Sequence, residues 1–106
     1  MFFIKELYYC YILSNKNRTV LYIGYTEDVN RRVKQHRNGS VVFTKRYNVV
    51  DLIYFETFKA KEEAKSRERQ LKNWHKEWKW NLIKKENPDL LIIEQKIRDT
   101  EINSAS

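Results

Sequence analysis

The chain has 106 residues, a length that fits one domain. Hydrophobic residues make up 42% of it, ordinary for a globular core, and 21 Lys and Arg against 14 Asp and Glu leave a net charge of +7, the footprint of a polyanion binder. No apolar run approaches the roughly 18 residues of a membrane span, and a single cysteine, Cys10, rules out an internal disulfide and suits a reducing cytoplasm.

Met1 to Leu7 lacks the long apolar stretch of a signal peptide. Leu7 to Leu13, LYYCYIL, and Thr19 to Tyr25, TVLYIGY, are strand-like and flank the polar SNKNR, which predicts an antiparallel hairpin. Neither run alternates, so both sheet faces are expected to be covered. A helix is expected over Glu27 to Asn38, with Thr26 as N-cap and Gly39 as the stop. Ser40 to Asn48 reads as a basic loop, and Val50 to Phe58, VDLIYFETF, as a third strand. Helices follow over Lys59 to Trp74 and Lys76 to Glu86, and Pro88 ends the pattern. LLIIEQKI, beyond it, suits a strand or a helix, and the NSAS end is expected to be disordered. The fold class is α+β, a small three-stranded antiparallel sheet flanked by helices in the order β-β-α-β-α-α. Residues 1–88 form the domain and 89–106 a partly disordered C-terminal extension.

Familiar catalytic and metal motifs are missing. There is no cysteine cluster, His36 and His75 lie far apart in sequence, and the only glycines are Gly24 and Gly39, so no phosphate-cradling loop exists. What remains is tyrosine, arginine and one well-placed acid. If Leu13 pairs with Val20 across the turn, Tyr11 faces Tyr22 about 5 Å away. On the first helix, with Val29 at 0°, Val33 falls at about 40°, His36 at about 340° and Arg32 at about 300°, whereas Arg31 falls at about 200° and points away. An arginine bordering a core-facing stripe needs an anionic partner or must snorkel outward. On the long helix, with Ala64 at 0°, Glu68 sits at about 40°, beside the Leu71 stripe. It either pairs with a base, Arg67 being the candidate, or binds a metal. Trp74, Trp78 and Trp80 are read as core packing before base stacking, and Lys45 and Arg46 as phosphate contacts or solvated charge.

YYCYIL, a short turn, LYIGYTEDVNRRVKQHRNG, LIYFETF and EEAKSRERQLKNW together resemble the small stand-alone branch of the GIY-YIG endonuclease family, over about Tyr8 to Pro88. Tyr9 and Cys10 replace the Gly and Ile of the first name-giving tripeptide, and its tyrosine, Tyr11, is kept. The resemblance implies that Tyr11 and Tyr22 are the active-site tyrosines, Arg32 the catalytic arginine, His36 the histidine one turn on, and Glu68 the metal ligand. Asn81 is the nearest match to an asparagine the family places in the following helix. The activity implied is hydrolysis of phosphodiester bonds in DNA with one Mg²⁺ or Mn²⁺ ion, a tyrosine base and a transition-state arginine. A catalytically silent nucleic-acid-binding module of the same fold is the alternative. The expected partner is nucleic acid, most simply DNA, met in the cytoplasm by a monomer or weak homodimer with no membrane attachment.

Overall fold

Three strands and four helices carry the chain in a computed structural model that describes residues 7–93: β1 (Tyr8–Ser14), β2 (Leu21–Thr26), α1 (Val29–Arg37), α2 (Val42–Tyr47), β3 (Asp51–Phe58), α3 (Lys61–Lys72) and α4 (Lys76–Glu86). The readings made for residues 1–6 and 94–106 lie outside the described residues. The sheet is antiparallel with the order β2-β1-β3, so β1 is central and β2 is an edge. This is the expected α+β fold, with one additional short helix.

Because β1 is buried on both faces, its side chains divide into two cores. Cys10 and Ile12 pack with Ile23, Ile53, Tyr54, Leu71 and Ile83, the face covered by α3 and α4. Tyr11 and Leu13 pack with Val29, Val33, Val49 and Leu52, the face covered by α1. Ile53 and Tyr54 are neighbours yet share a core. A shift in the β1–β3 register between Ile12 and Leu13 accommodates them, as one extra residue in a strand does. Cys10 behaves as a small hydrophobe; burial first, then Glu56 and Glu68, push its thiol up to about 12, so it is no thiolate nucleophile.

The hairpin register differs from the one expected. Leu13 pairs with Tyr22, and Tyr11 with Gly24, two residues away from the Leu13–Val20 and Tyr11–Tyr22 pairing. The reason is the turn. Asn15 Oδ1 accepts from the N–H groups of Thr19 and Val20, which draws both residues out of the ladder. Arg18, in the left-handed region at φ 56°, then donates to Asp51 Oδ2 at 2.8 Å and to the Leu90 carbonyl, fastening the turn to β3 and to the segment after α4. The shift by two preserves the face, so Tyr11 and Tyr22 remain diagonal neighbours with ring centroids 6.4 Å apart.

Helix ends depart from the expectation in small, explicable ways. Asp28, not Thr26, caps α1: its Oδ1 accepts from the Arg31 N–H, while the Thr26 hydroxyl accepts from the Asp28 N–H one turn earlier. Gly39 follows the Asn38 cap at φ 79°, the left-handed step that favours glycine. The stretch expected as a basic loop contains α2, which buries Thr44 and ends on Asn48 in the left-handed conformation. Leu90 to Ile93, the described part of the ambiguous tail, forms neither helix nor strand, although the Ile93 N–H donates to the Leu52 carbonyl. Trp74 and Trp80 pack against the core as expected, whereas Trp78 is exposed. No helix among the described residues is long and apolar enough to cross a membrane.

Candidate active site

The edge strand β2 has α1 on one face and α3 on the other, and an open pocket of about 420 Å³ runs along it. Tyr11, Tyr22, Arg32 and Glu68 all line this pocket. The residues come from β1, β2, α1 and α3, so only the folded chain brings them together. Gly24 opens the strand between them. A Cβ there would stand 2.5 Å from the Tyr11 hydroxyl oxygen, so the tyrosine ring occupies the space of the missing side chain.

α1 presents the face that its periodicity predicts. Val29, Val33 and His36 are buried, Arg32 is half-buried, and Arg31 is exposed. The pocket extends farther round the helix than the core does, so Asp28, Arg31 and Gln35 also reach its lining. Arg31 thus points away from the core but stands on the rim of the site.

His36 lies beneath the pocket, 1% exposed, and orders a short chain of hydrogen bonds. The Thr44 hydroxyl donates to the Val41 carbonyl, leaving its oxygen to accept the His36 Nδ1–H at 2.8 Å. Burial first, and then the Arg32 charge, hold the imidazole down to about 4, so it is neutral near pH 7. With Nδ1 protonated, a neutral ring has only an acceptor at Nε2. The Tyr11 hydroxyl therefore donates to Nε2, at 3.0 Å. Burial first, and then the nearby Tyr22 hydroxyl, raise Tyr11 above the ordinary tyrosine value, with Arg32 opposing. Tyr11 in isolation is thus a reluctant phenolate, but its proton already has a destination. Thr44, on α2, was not apparent from the sequence; it lies eight residues past His36 in a stretch with loop character.

This arrangement has a measurable consequence for stability. The folded His36 value, about 4, lies below the ordinary 6.5, so the unfolded chain takes up the proton first. The stabilisation is fully present above pH 6.5 and is lost as the pH falls toward 4, about 3 kcal/mol over the whole span. Glu56, also held low on balance, adds its own loss only below its ordinary 4.5. The thermal midpoint should fall between pH 6.5 and about 5 in the parent chain and stay flatter over that range in His36→Gln. Parallel slopes for the two proteins would mean that His36 does not titrate as described.

Glu68 is half-buried, with its side chain 21% exposed. Its expected partner, Arg67, is engaged elsewhere. Arg67 binds both carboxylate oxygens of Glu56, Nε to Oε1 at 2.8 Å and Nη2 to Oε2 at 3.0 Å. Burial pushes Glu56 up, but hydrogen bonds from Arg67 and Tyr54 outweigh it. Among the described residues this leaves Glu68 with only Lys72, at 3.1 Å across one turn of helix. Lys72 is 53% exposed, and such i,i+4 surface pairs contribute about 0.3–0.5 kcal/mol, so a cation or phosphate can displace it. Of the other carboxylates in the lining, Asp28 caps α1 and Glu27 is exposed at the rim. Lys61 lies in the lining as well. Lys45 and Arg46 stand exposed on α2, and Asn81 is exposed on α4; none of the three lines the pocket.

The GIY-YIG catalytic domain matches residues 7–87. This chain belongs to the GIY-YIG family. It is 41% identical over 76 residues to a UPF0213 protein of Clostridium perfringens, spanning 71% of this chain and 81% of that one. A UPF0213 protein of Staphylococcus saprophyticus is 37% identical over 79 residues, or 74% of this chain and 95% of the other. The solution structure of a UPF0213 protein from Bacillus halodurans superposes with a TM-score of 0.53 at 30% identity, covering 84% of this chain and 95% of its own. The two name-giving strands of the GIY-YIG member described here are β1 and β2, hydrogen-bonded along the register given above.

Proposed function

We propose that this protein is a metal-dependent endonuclease that hydrolyses phosphodiester bonds in DNA, acting in the cytoplasm. The observation that carries the proposal is the convergence in one open pocket of Arg32, Glu68 and the Tyr11 hydroxyl with its own proton acceptor. A net charge of +7 favours phosphate binding over most other ligands.

Arg32 makes no ion pair among the described residues, so its planar fork is free to take a non-bridging phosphate oxygen as charge builds there. Tyr11 takes a proton from the attacking water while its own passes to His36 Nε2, and Thr44 holds the opposite ring nitrogen. The new bond runs from that water oxygen to phosphorus, the bond to the leaving strand breaks, and the leaving oxygen gains a proton from solvent. The low His36 value means the imidazolium is short-lived, and a phosphate on Arg32 lessens the guanidinium charge that opposes it. Tyr22 packs its ring on His36, centroids 5.0 Å apart, and completes the wall.

The donor set suits one Mg²⁺ or Mn²⁺ ion. Glu68, a half-buried carboxylate that neither caps a helix nor stands on the rim of the open cleft, fits a hard cation that keeps most of its waters, whereas no group of three His, Cys, Asp or Glu among the described residues forms a full cage. When bound there, such an ion offsets negative charge on the phosphate.

Glu68→Ala is the test. Divalent-dependent cleavage should disappear while affinity for DNA is nearly intact, because the phosphate grip resides in the basic residues. Cleavage that persists in a folded Glu68→Ala protein would remove this residue from the site. Loss of DNA binding along with cleavage would show that Glu68 supports the binding surface and not the chemistry.

A further inference from the structure

We propose that Phe43 and Tyr47 on α2 form a stacking ledge for an unpaired base next to the pocket, giving the protein a preference for single-stranded or locally unpaired nucleic acid. The inference rests on the nuclease reading and specifies its substrate. α2 buries Thr44 and leaves Phe43 44% and Tyr47 47% exposed. The two residues are one helical turn apart and therefore share a side. Their ring centroids are 4.9 Å apart, and Phe43 lies 6.1 Å from the ring of Tyr22, which lines the pocket. The aromatic surface is thus continuous from the site outward.

Charge identifies the occupant. Lys45 and Arg46 stand on the same helix, and the Arg46 guanidinium lies over the Tyr47 ring at 5.7 Å. Exposed rings beside cations match a strand of bases and phosphates, since every base offers a π-face whatever its identity. In a duplex those faces are already stacked, so the ledge is usable only by a base that is unpaired. Thr44, on the same short helix, holds His36, which ties the ledge to the proton chain at Tyr11.

The experiment uses the full chain without divalent ions and a short single strand carrying 2-aminopurine, compared with the same sequence as a duplex. Binding of the single strand should quench the fluorophore. Phe43→Leu and Tyr47→Leu, which keep apolar bulk but no ring, should each weaken single-strand binding by roughly 5- to 150-fold and leave duplex affinity unchanged. Phe43→Tyr should retain it. Equal losses on both substrates, or no quenching, would overturn the ledge; so would unchanged binding with lost self-association in sedimentation, which would make the patch a contact between copies. Because no cleavage occurs in this assay, its outcome is separate from that of Glu68→Ala. Quenching with Glu68-independent cleavage would defeat the catalytic assignment alone, and Glu68-dependent cleavage without strand preference would defeat the ledge alone.

Discussion

Arg32→Ala should slow single-turnover cleavage by about 10² to 10³, the loss of one transition-state charge contact worth about 3 to 4 kcal/mol. Arg31→Ala should cost far less. The two residues are adjacent and chemically identical, yet α1 turns one toward the Tyr11 wall and the other to the rim. Arg31 is exposed and offers at most a phosphate contact, so its removal should weaken binding modestly and mostly at lower salt. Arg32→Lys separates charge from shape. It keeps the cation but lacks the planar fork and should remain badly impaired. Rates at saturating enzyme compare the three variants without interference from affinity. Equal losses at Arg31 and Arg32, or full rescue by lysine, would place the phosphate elsewhere in the pocket.

The second large effect is expected at Tyr11. Tyr11→Phe keeps the ring over Gly24 but removes the hydroxyl that connects water to His36, and general-base catalysis typically contributes 10² to 10⁴. Tyr22→Phe removes a hydroxyl that has no hydrogen bond to a described residue and should lose less. His36→Gln tests the relay itself. An amide oxygen can accept the Tyr11 hydrogen bond but does not take the proton, so the rate should fall with the fold retained. If Tyr22→Phe proves the more damaging of the pair, the roles of the tyrosines are reversed and the His36 chain only positions Tyr11.

Much of this site is visible in the sequence because it follows local periodicity. Val29, Val33 and His36 mark the inner stripe of α1, and that alone sets Arg32 apart from Arg31. The unalternating LYYCYIL run signals a strand covered on both sides, as β1 is. The hairpin register escaped because it depends on Asn15, whose side chain captures two backbone N–H groups and lengthens the turn at the expense of the second strand. α2 escaped because VFTKRY has no side-chain N-cap and opens on the β-branched pair Val41 and Val42, so local preference opposes the helix that burial of Thr44 stabilises. The partner of Arg67 was beyond reach for another reason. Glu56 lies 11 residues away on β3, and only the packing of α3 against the sheet shows that Arg67 is occupied there while Glu68 meets the exposed Lys72.

Cleavage by the parent chain is the most direct measurement. Purified protein, incubated with supercoiled plasmid and with single-stranded and branched oligonucleotides in Mg²⁺ or Mn²⁺, should cut at least one of them, with the activity abolished by chelation and about 10²- to 10³-fold slower in Arg32→Ala. Tight, salt-sensitive binding with no cut in any substrate or metal would contradict the central claim and leave a GIY-YIG domain that binds nucleic acid without hydrolysing it.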